Sequence, residues 1–156
     1  MISLLHGPGF LGTRALLYAD VTLVLILLSS GLFTLGWRLI LHHKETAHRW
    51  VQTAAALLNA LAVIVVMIPS FVKNIVPGIP AKLLEGTYGV TFFHGLVGAF
   101  GLVLGLFIVL RANGLMPKPL QFSNYKGFMR TSYALYMGST LIGVILYVFV
   151  YVAGSG

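Results

Sequence analysis

The 156-residue chain contains no cysteine, which removes disulfides, thiolate metal sites and thiol redox chemistry from consideration. It has only three acidic residues, Asp20, Glu45 and Glu85, and no two are close in sequence. That argues against hydrolysis by a pair of carboxylates. Neither a glycine-rich phosphate loop nor a Ser/His/Asp signature is present. Charge is scarce throughout: 8% of residues are charged, where a soluble domain carries about a quarter. Lipid, not water, is the expected solvent.

What the chain does have is apolar length. A bilayer crossing takes roughly 20 mostly apolar residues. Four stretches qualify, about Leu16 to Leu41, Trp50 to Val72, Thr87 to Leu110 and Phe128 to Val152. Little is left over, so the expectation is one all-α transmembrane domain over residues 1–156, a four-helix bundle running up-down-up-down, with no soluble domain. Residues Met1 to Gly12 are short and uncharged, and Arg14 follows them. This is the wrong order for a cleaved signal peptide, so the first span is expected to stay attached.

The net charge of +7 reads as topology, not as a nucleic-acid footprint. Arg38, Lys44 and Arg49 surround the first loop, and Arg111, Lys118, Lys126 and Arg130 the third. The second loop has Lys73 and Lys82, and the amino-terminal tail Arg14. By the positive-inside rule the first and third loops are expected to face the cytoplasm and both termini to lie outside.

Local signals divide the spans. The short loop from Leu41 to Trp50 makes spans one and two antiparallel neighbours, with Thr46 a candidate N-cap for the second helix. Asn59 sits mid-span, and Pro69 is expected to kink or end that helix. The outer loop to Gly86 holds Pro77, Gly78 and Pro80 and room for one short surface helix. Span three carries Gly95, Gly98, Gly101 and Gly105, of which the last two form a small-xxx-small pair for close helix approach. Asn113-Gly114, Pro117 and Pro119 keep the third loop from being helical throughout. Span four carries Tyr133, Tyr136, Tyr147 and Tyr151.

His94 is the costly residue, an ionisable group inside a membrane span and so a functional candidate by default. At 1.5 Å per residue it lies roughly 9 Å below the outer end of its span. Asp20, Met67 and Tyr147 are expected at similar depth. In one reading Asp20 pairs with His94 or with Arg14 and merely satisfies buried polar groups. In the other the layer holds a cofactor: His94 with Met67 as haem ligands, or His94 with Asp20 on a metal such as copper.

A second cluster lies at the inner side. His42, His43 and His48 lack the usual metal-ligand spacings and are better read as a solvated loop group. Alternatively His48, Arg49, Tyr125, Lys126 and Arg130 form a basic pocket for an anionic lipid or for the propionates of a porphyrin.

Ala47-His48-Arg49 opens the second span, Phe93-His94 lies in the third, and a basic segment leads to Tyr136-Met-Gly-Ser-Thr140-Leu-Ile-Gly143-Val-Ile-Leu-Tyr147. In these motifs, and over most of its length from about Leu16, the chain resembles a small four-helix bacterial membrane family, the domain of unknown function numbered four-twenty. That family is linked to maturation of haem-copper oxidases. The resemblance implies histidines in four places, of which His48 and His94 match two. Ile68-Pro69-Ser70-Phe71 stands where one outer histidine is expected, and Tyr125 where the one before the fourth span is expected. Met67 outside, and Tyr125 or Lys126 inside, are the candidate substitutes. The implied role is an accessory or assembly protein of a respiratory electron-transfer complex, binding haem or a metal. The alternatives are a purely structural subunit of a respiratory or photosynthetic complex without cofactor, and a small cytochrome b-like oxidoreductase. Membrane lipids and other subunits are the expected partners.

Overall fold

The computed structural model describes residues 7–120 and 125–154; residues 121–124 of the third loop lie outside this description. The fold is all-α. Helix α1 spans Leu17–Leu41, α2 Glu45–Ala62, α3 Ile68–Asn74, α4 Gly86–Ala112 and α5 Tyr125–Tyr147. A π-helical turn, Val63–Met67, joins α2 to α3, and another, Val148–Val152, extends α5. Among the described residues there are thus four long apolar rods, of 25, 34, 27 and 28 residues, each able to cross a bilayer. The chain is a multi-pass membrane protein. Helix α1 packs chiefly on α2 and α4 chiefly on α5, while α1–α5 and α2–α4 contacts close the ring.

Burial is inverted relative to a soluble bundle. The inside is small and polar: Ala55, Ala56, Ala60 and Ala62 from α2, Asp20, Ser29 and Ser30 from α1, His94 from α4, and Ser132, Ser139 and Thr140 from α5. The outside is large and apolar, with Phe93, Leu96, Phe100 and Val103 exposed along one side of α4. Hydrocarbon is as apolar as leucine, so large side chains gain nothing by turning inward and helices meet through small residues instead. The expected glycine face on α4 performs this role. A Cβ on Gly101 would stand 3.6 Å from Leu135 Cβ and one on Gly105 3.6 Å from Ser132 Oγ, so α4 and α5 lie close together there.

Two expectations are corrected. Pro69 does not end the second span; the rod continues through it into α3. Proline lacks an N–H and its ring crowds the carbonyl four residues back. The π-turn immediately before it widens the helix, with the Ile68 N–H bonding the Val63 carbonyl five residues back. Thr46 is not an N-cap, because α2 begins one residue earlier at Glu45, and Lys44 at the cap position makes no side-chain capping bond. The reason is the tightness of the α1–α2 turn. His43 takes a left-handed φ of 57°, the Lys44 N–H bonds the Leu39 carbonyl at 2.9 Å, and the His43 N–H bonds the Ile40 carbonyl at 3.1 Å. This six-to-one and five-to-two pair is a Schellman motif. Gly114 closes α4 in the same way, with Leu115 N–H on the Leu110 carbonyl at 2.9 Å.

Candidate functional site

At the end of the bundle where the first and third loops lie, the four helices enclose a cavity of about 790 Å³, within the range of small-molecule sites. Its deep wall reaches Asn59, Gly101 and Tyr136, near the middle of the spans, and its sides include Phe33, Leu102 and Leu106. Its mouth carries His43, His48, Arg49, Arg111, Lys126 and Arg130 against a single acid, Glu45. The site is therefore amphipathic along its axis, with apolar depth and a cationic opening.

The seams around it are closed by specific contacts. Between α1 and α5, Phe33 meets Tyr136 edge-on at 4.5 Å and Trp37 meets Tyr133 at 4.9 Å. Between α2 and α4, Asn113 Nδ2 donates to Thr53 Oγ1 at 3.1 Å. At the mouth the Arg111 guanidinium lies 4.8 Å from the Tyr125 ring centre, joining α4 to α5. Between α1 and α2, His48 Nδ1 is 2.7 Å from the Gly36 carbonyl oxygen, and Gln52 Nε2 donates to the Phe33 carbonyl at 3.3 Å. Because a carbonyl only accepts, His48 donates from Nδ1, so in the neutral ring Nε2 is the nitrogen that can accept or ligate. Gly36 permits this join, since a Cβ there would meet Gln52 Nε2 at 2.6 Å.

The structure gathers His48, Arg49, Tyr125, Lys126 and Arg130 around one cavity, the grouping expected from the sequence. Arg111, Gln52, Trp37 and Asn59 also line it and were not part of that expectation. His43 reaches the mouth as well, whereas His42 does not line it. Among the described residues no three His, Asp or Glu side chains form a group suited to a metal ion.

Toward the opposite end of the bundle, Asp20 and His94 occupy two levels. Asp20 is 0% exposed. Its Oδ1 accepts from the Tyr147 hydroxyl at 2.5 Å and its Oδ2 from the Leu11 N–H at 2.8 Å, while the Tyr147 oxygen lies 2.8 Å from Thr13 Oγ1. Neutral donors thus hold the carboxylate. The segment before α1 folds back to supply them, with Gly9 N–H on the Ala15 carbonyl and Leu17 N–H on the Gly7 carbonyl, both at 2.9 Å. Gly9 is required by close approach, because a Cβ would stand 2.8 Å from Asp20 Cγ.

His94 is 8% exposed. Its Nδ1 is 3.4 Å from Ser139 Oγ. A Cβ on Gly143 would lie 3.0 Å from its Cε1 and 3.6 Å from its Nε2. Tyr147, which holds Asp20, is one helical turn further along the same stripe of α5. Asp20 and His94 are thus engaged by different partners, Tyr147 and Ser139, about two turns apart on α5. Met67 is on the π-turn, which packs against α1. The chain matches no protein-family model, no curated protein and no solved structure.

Proposed function

We propose that the protein is an accessory or assembly protein of a respiratory electron-transfer complex in the bacterial plasma membrane, and that it holds an anionic amphiphile in the cavity at its basic end. The observation that carries this reading is the cavity itself, apolar at depth and cationic at the mouth. An acyl or polycyclic body gains by leaving water for the apolar depth, and a phosphate or carboxylate head gains from the arginines. The positive-inside rule puts that mouth at the cytoplasmic face.

Haem, the group implied by the family resemblance, suits the cavity better than the His94 level. The His94 ring is enclosed, with Nδ1 at Ser139 and Nε2 facing the Gly143 backbone. His48 lines the cavity, its Nδ1 is anchored on a backbone carbonyl, and its Nε2 is left available. That anchoring is the usual support of a ligating histidine. Arg49 and Arg130 would then take the propionates, and the iron would supply redox or transfer chemistry when bound.

A second reading is a structural subunit without cofactor. In that reading the glycine-rich α4 would be the docking helix, as its small residues allow close approach. Purification in mild detergent, with an absorption spectrum and extraction of bound lipid, separates the two. A Soret band, or a co-purified acidic lipid lost in Arg49→Gln/Arg130→Gln, supports the cavity reading. A ligand-free protein bound to a large complex supports the structural one.

A further inference from the structure

From Ala54 to Ile68 the second span holds one polar side chain, Asn59. It is 6% exposed and lies on the inner face of α2, with Ala55, Ala56 and Ala60 buried beside it and Leu57 and Leu61 exposed on the opposite face. An asparagine so placed in a membrane bundle ordinarily hydrogen-bonds across to another helix. This one does not: among the described residues its side-chain amide has no hydrogen-bond partner. Other polar groups of the cavity wall are engaged. The Tyr136 hydroxyl donates to the Ile26 carbonyl at 3.2 Å, Gln52 Nε2 donates to the Phe33 carbonyl at 3.3 Å, and Thr53 Oγ1 accepts from Asn113 at 3.1 Å. Nor is the Asn59 amide sealed in packing. The side-chain oxygen that is both sealed and unpartnered among the described residues is Ser29 Oγ. The Asn59 amide therefore keeps accessible surface, and that surface lies in the cavity that Asn59 lines.

His48, Gln52, Ala56 and Asn59 all line the cavity and follow the helical period, so one stripe of α2 runs from the mouth to the deep wall. Asn59 is ten residues beyond Arg49, roughly 15 Å along the helix axis. Leu102, Leu106 and Val109 of α4 line the cavity between these two levels. The site thus has a cationic opening, an apolar middle and, at depth, a neutral amide that can donate and accept at once. A purely apolar tail seated against Asn59 would shut its amide away from water and leave it unpaired, which is costly. A ligand that brings its own polar group to that depth avoids this cost.

We propose that the ligand of this cavity is an acidic amphiphile with a second, neutral polar group, a hydroxyl or a carbonyl, about 15 Å from its acidic head, and that Asn59 selects it. The inference rests on the reading that an anionic amphiphile occupies the cavity, and adds the chemistry of its buried end. The Asn59 amide N–H donates to the ligand oxygen, and toward a hydroxyl the amide carbonyl also accepts. Selection of this kind is strong for its size, because the wrong ligand leaves a polar group of the site unpaired. It also has a distinctive sign. A hydroxyl on the tail favours water and weakens entry into an apolar site, so tighter binding of the hydroxylated acid requires a partner at depth.

The test compares stearate with 12-hydroxystearate, whose hydroxyl and carboxylate are separated by a length comparable to that from Arg49 to Asn59. Affinities are measured by titration calorimetry on the full chain in mild detergent. The parent is expected to bind the hydroxy acid about fivefold more tightly, the worth of one net hydrogen bond. In Asn59→Leu, which is similar in volume, the preference is expected to reverse in favour of stearate. Arg49→Gln is expected to weaken both acids alike and to leave their ratio unchanged. Thermal melting checks that the variants are folded, and should Asn59→Leu fail to fold, Asn59→Ala is expected to lose the preference in its place. Equal binding of the two acids by the parent, or a preference that survives in the folded Asn59 variant, overturns selection by Asn59 while leaving an amphiphile site. Binding of neither acid overturns both this inference and the reading on which it rests.

Discussion

The Tyr147 hydroxyl donates a 2.5 Å hydrogen bond to Asp20, joining residues 127 positions apart and fastening the first helix to the last. The carboxylate also takes the Leu11 N–H at 2.8 Å, so this one side chain orders the segment before α1. Tyr147→Phe keeps the ring and removes the donor, leaving a buried carboxylate one hydrogen bond short. The melting midpoint in detergent is expected to fall by roughly 2–4 °C. Asp20→Leu is expected to fall further, because it strands the Leu11 N–H as well as the tyrosine hydroxyl. An unchanged midpoint in both would show that the bond does not hold the bundle.

The four spans were legible because bilayer thickness sets a length and hydrocarbon sets a composition, and both are written along the chain. Pro69 was not legible in the same way. A proline in a helix can be relieved by ending it or by widening it, and only the Ile68-to-Val63 hydrogen bond distinguishes these. The basic pocket was partly legible, since its arginines flank loops that antiparallel helices must bring together. Asp20 and His94 had been placed in one layer by counting residues. Counting gives depth only coarsely, and about two turns of α5 separate their partners Tyr147 and Ser139. Gly9 and Gly36 carried no local signal, because their roles depend on side chains from other elements.

Widening by one residue has a consequence for deletions. A π-turn is an α-helix with one residue inserted. Deleting Val65, together with Pro69→Ala to remove the ring clash, is expected to leave a straight α-helix whose faces keep their register. Deleting Leu57 instead turns every later residue of the second span by about 100°. The first variant is expected to elute as folded protein from size-exclusion chromatography in mild detergent, and the second to aggregate. Equal behaviour of the two would mean that the π-turn does not absorb the proline.

Close approach at glycines differs in kind between two positions. At Gly101 an added methyl meets Leu135 Cβ and Tyr136 N at 3.6 Å, ordinary contact, so Gly101→Ala is expected to be near neutral while Gly101→Leu drives α4 from α5. At Gly36 the methyl meets Gln52 Nε2 at 2.6 Å. Gln52 must swing away and give up its bond to the Phe33 carbonyl, a loss of about 1 kcal/mol. Melting of the three variants checks the order, with Gly101→Leu lowest, then Gly36→Ala, then Gly101→Ala.

The basic mouth is expected to act through charge more than shape. A lysine or arginine near an anionic head contributes about 1 kcal/mol, so Arg49→Gln and Arg130→Gln should each weaken binding of an acidic phospholipid roughly fivefold. The double variant is expected near 25-fold if the two act independently. Raised salt should shrink these differences, because exposed charges are screened. Affinities for phosphatidylglycerol and phosphatidylcholine, measured side by side in detergent, make the comparison. A loss equal for both lipids would point to damaged packing instead of head-group recognition.

Orientation can be tested without first removing native thiols, since the chain has no cysteine. Leu84, in the loop between α3 and α4, is 100% exposed, and Leu115, just beyond α4, is 69% exposed. The two lie at opposite ends of the bundle, separated by the 27-residue α4. With the basic loops in the cytoplasm, Leu84→Cys is expected to react with a membrane-impermeant maleimide on intact spheroplasts. Leu115→Cys should react only after the membrane is opened. The reverse pattern would place the cavity mouth on the outer face. It would also refer the excess of arginine and lysine around that mouth to a bound ligand and not to the topology of insertion.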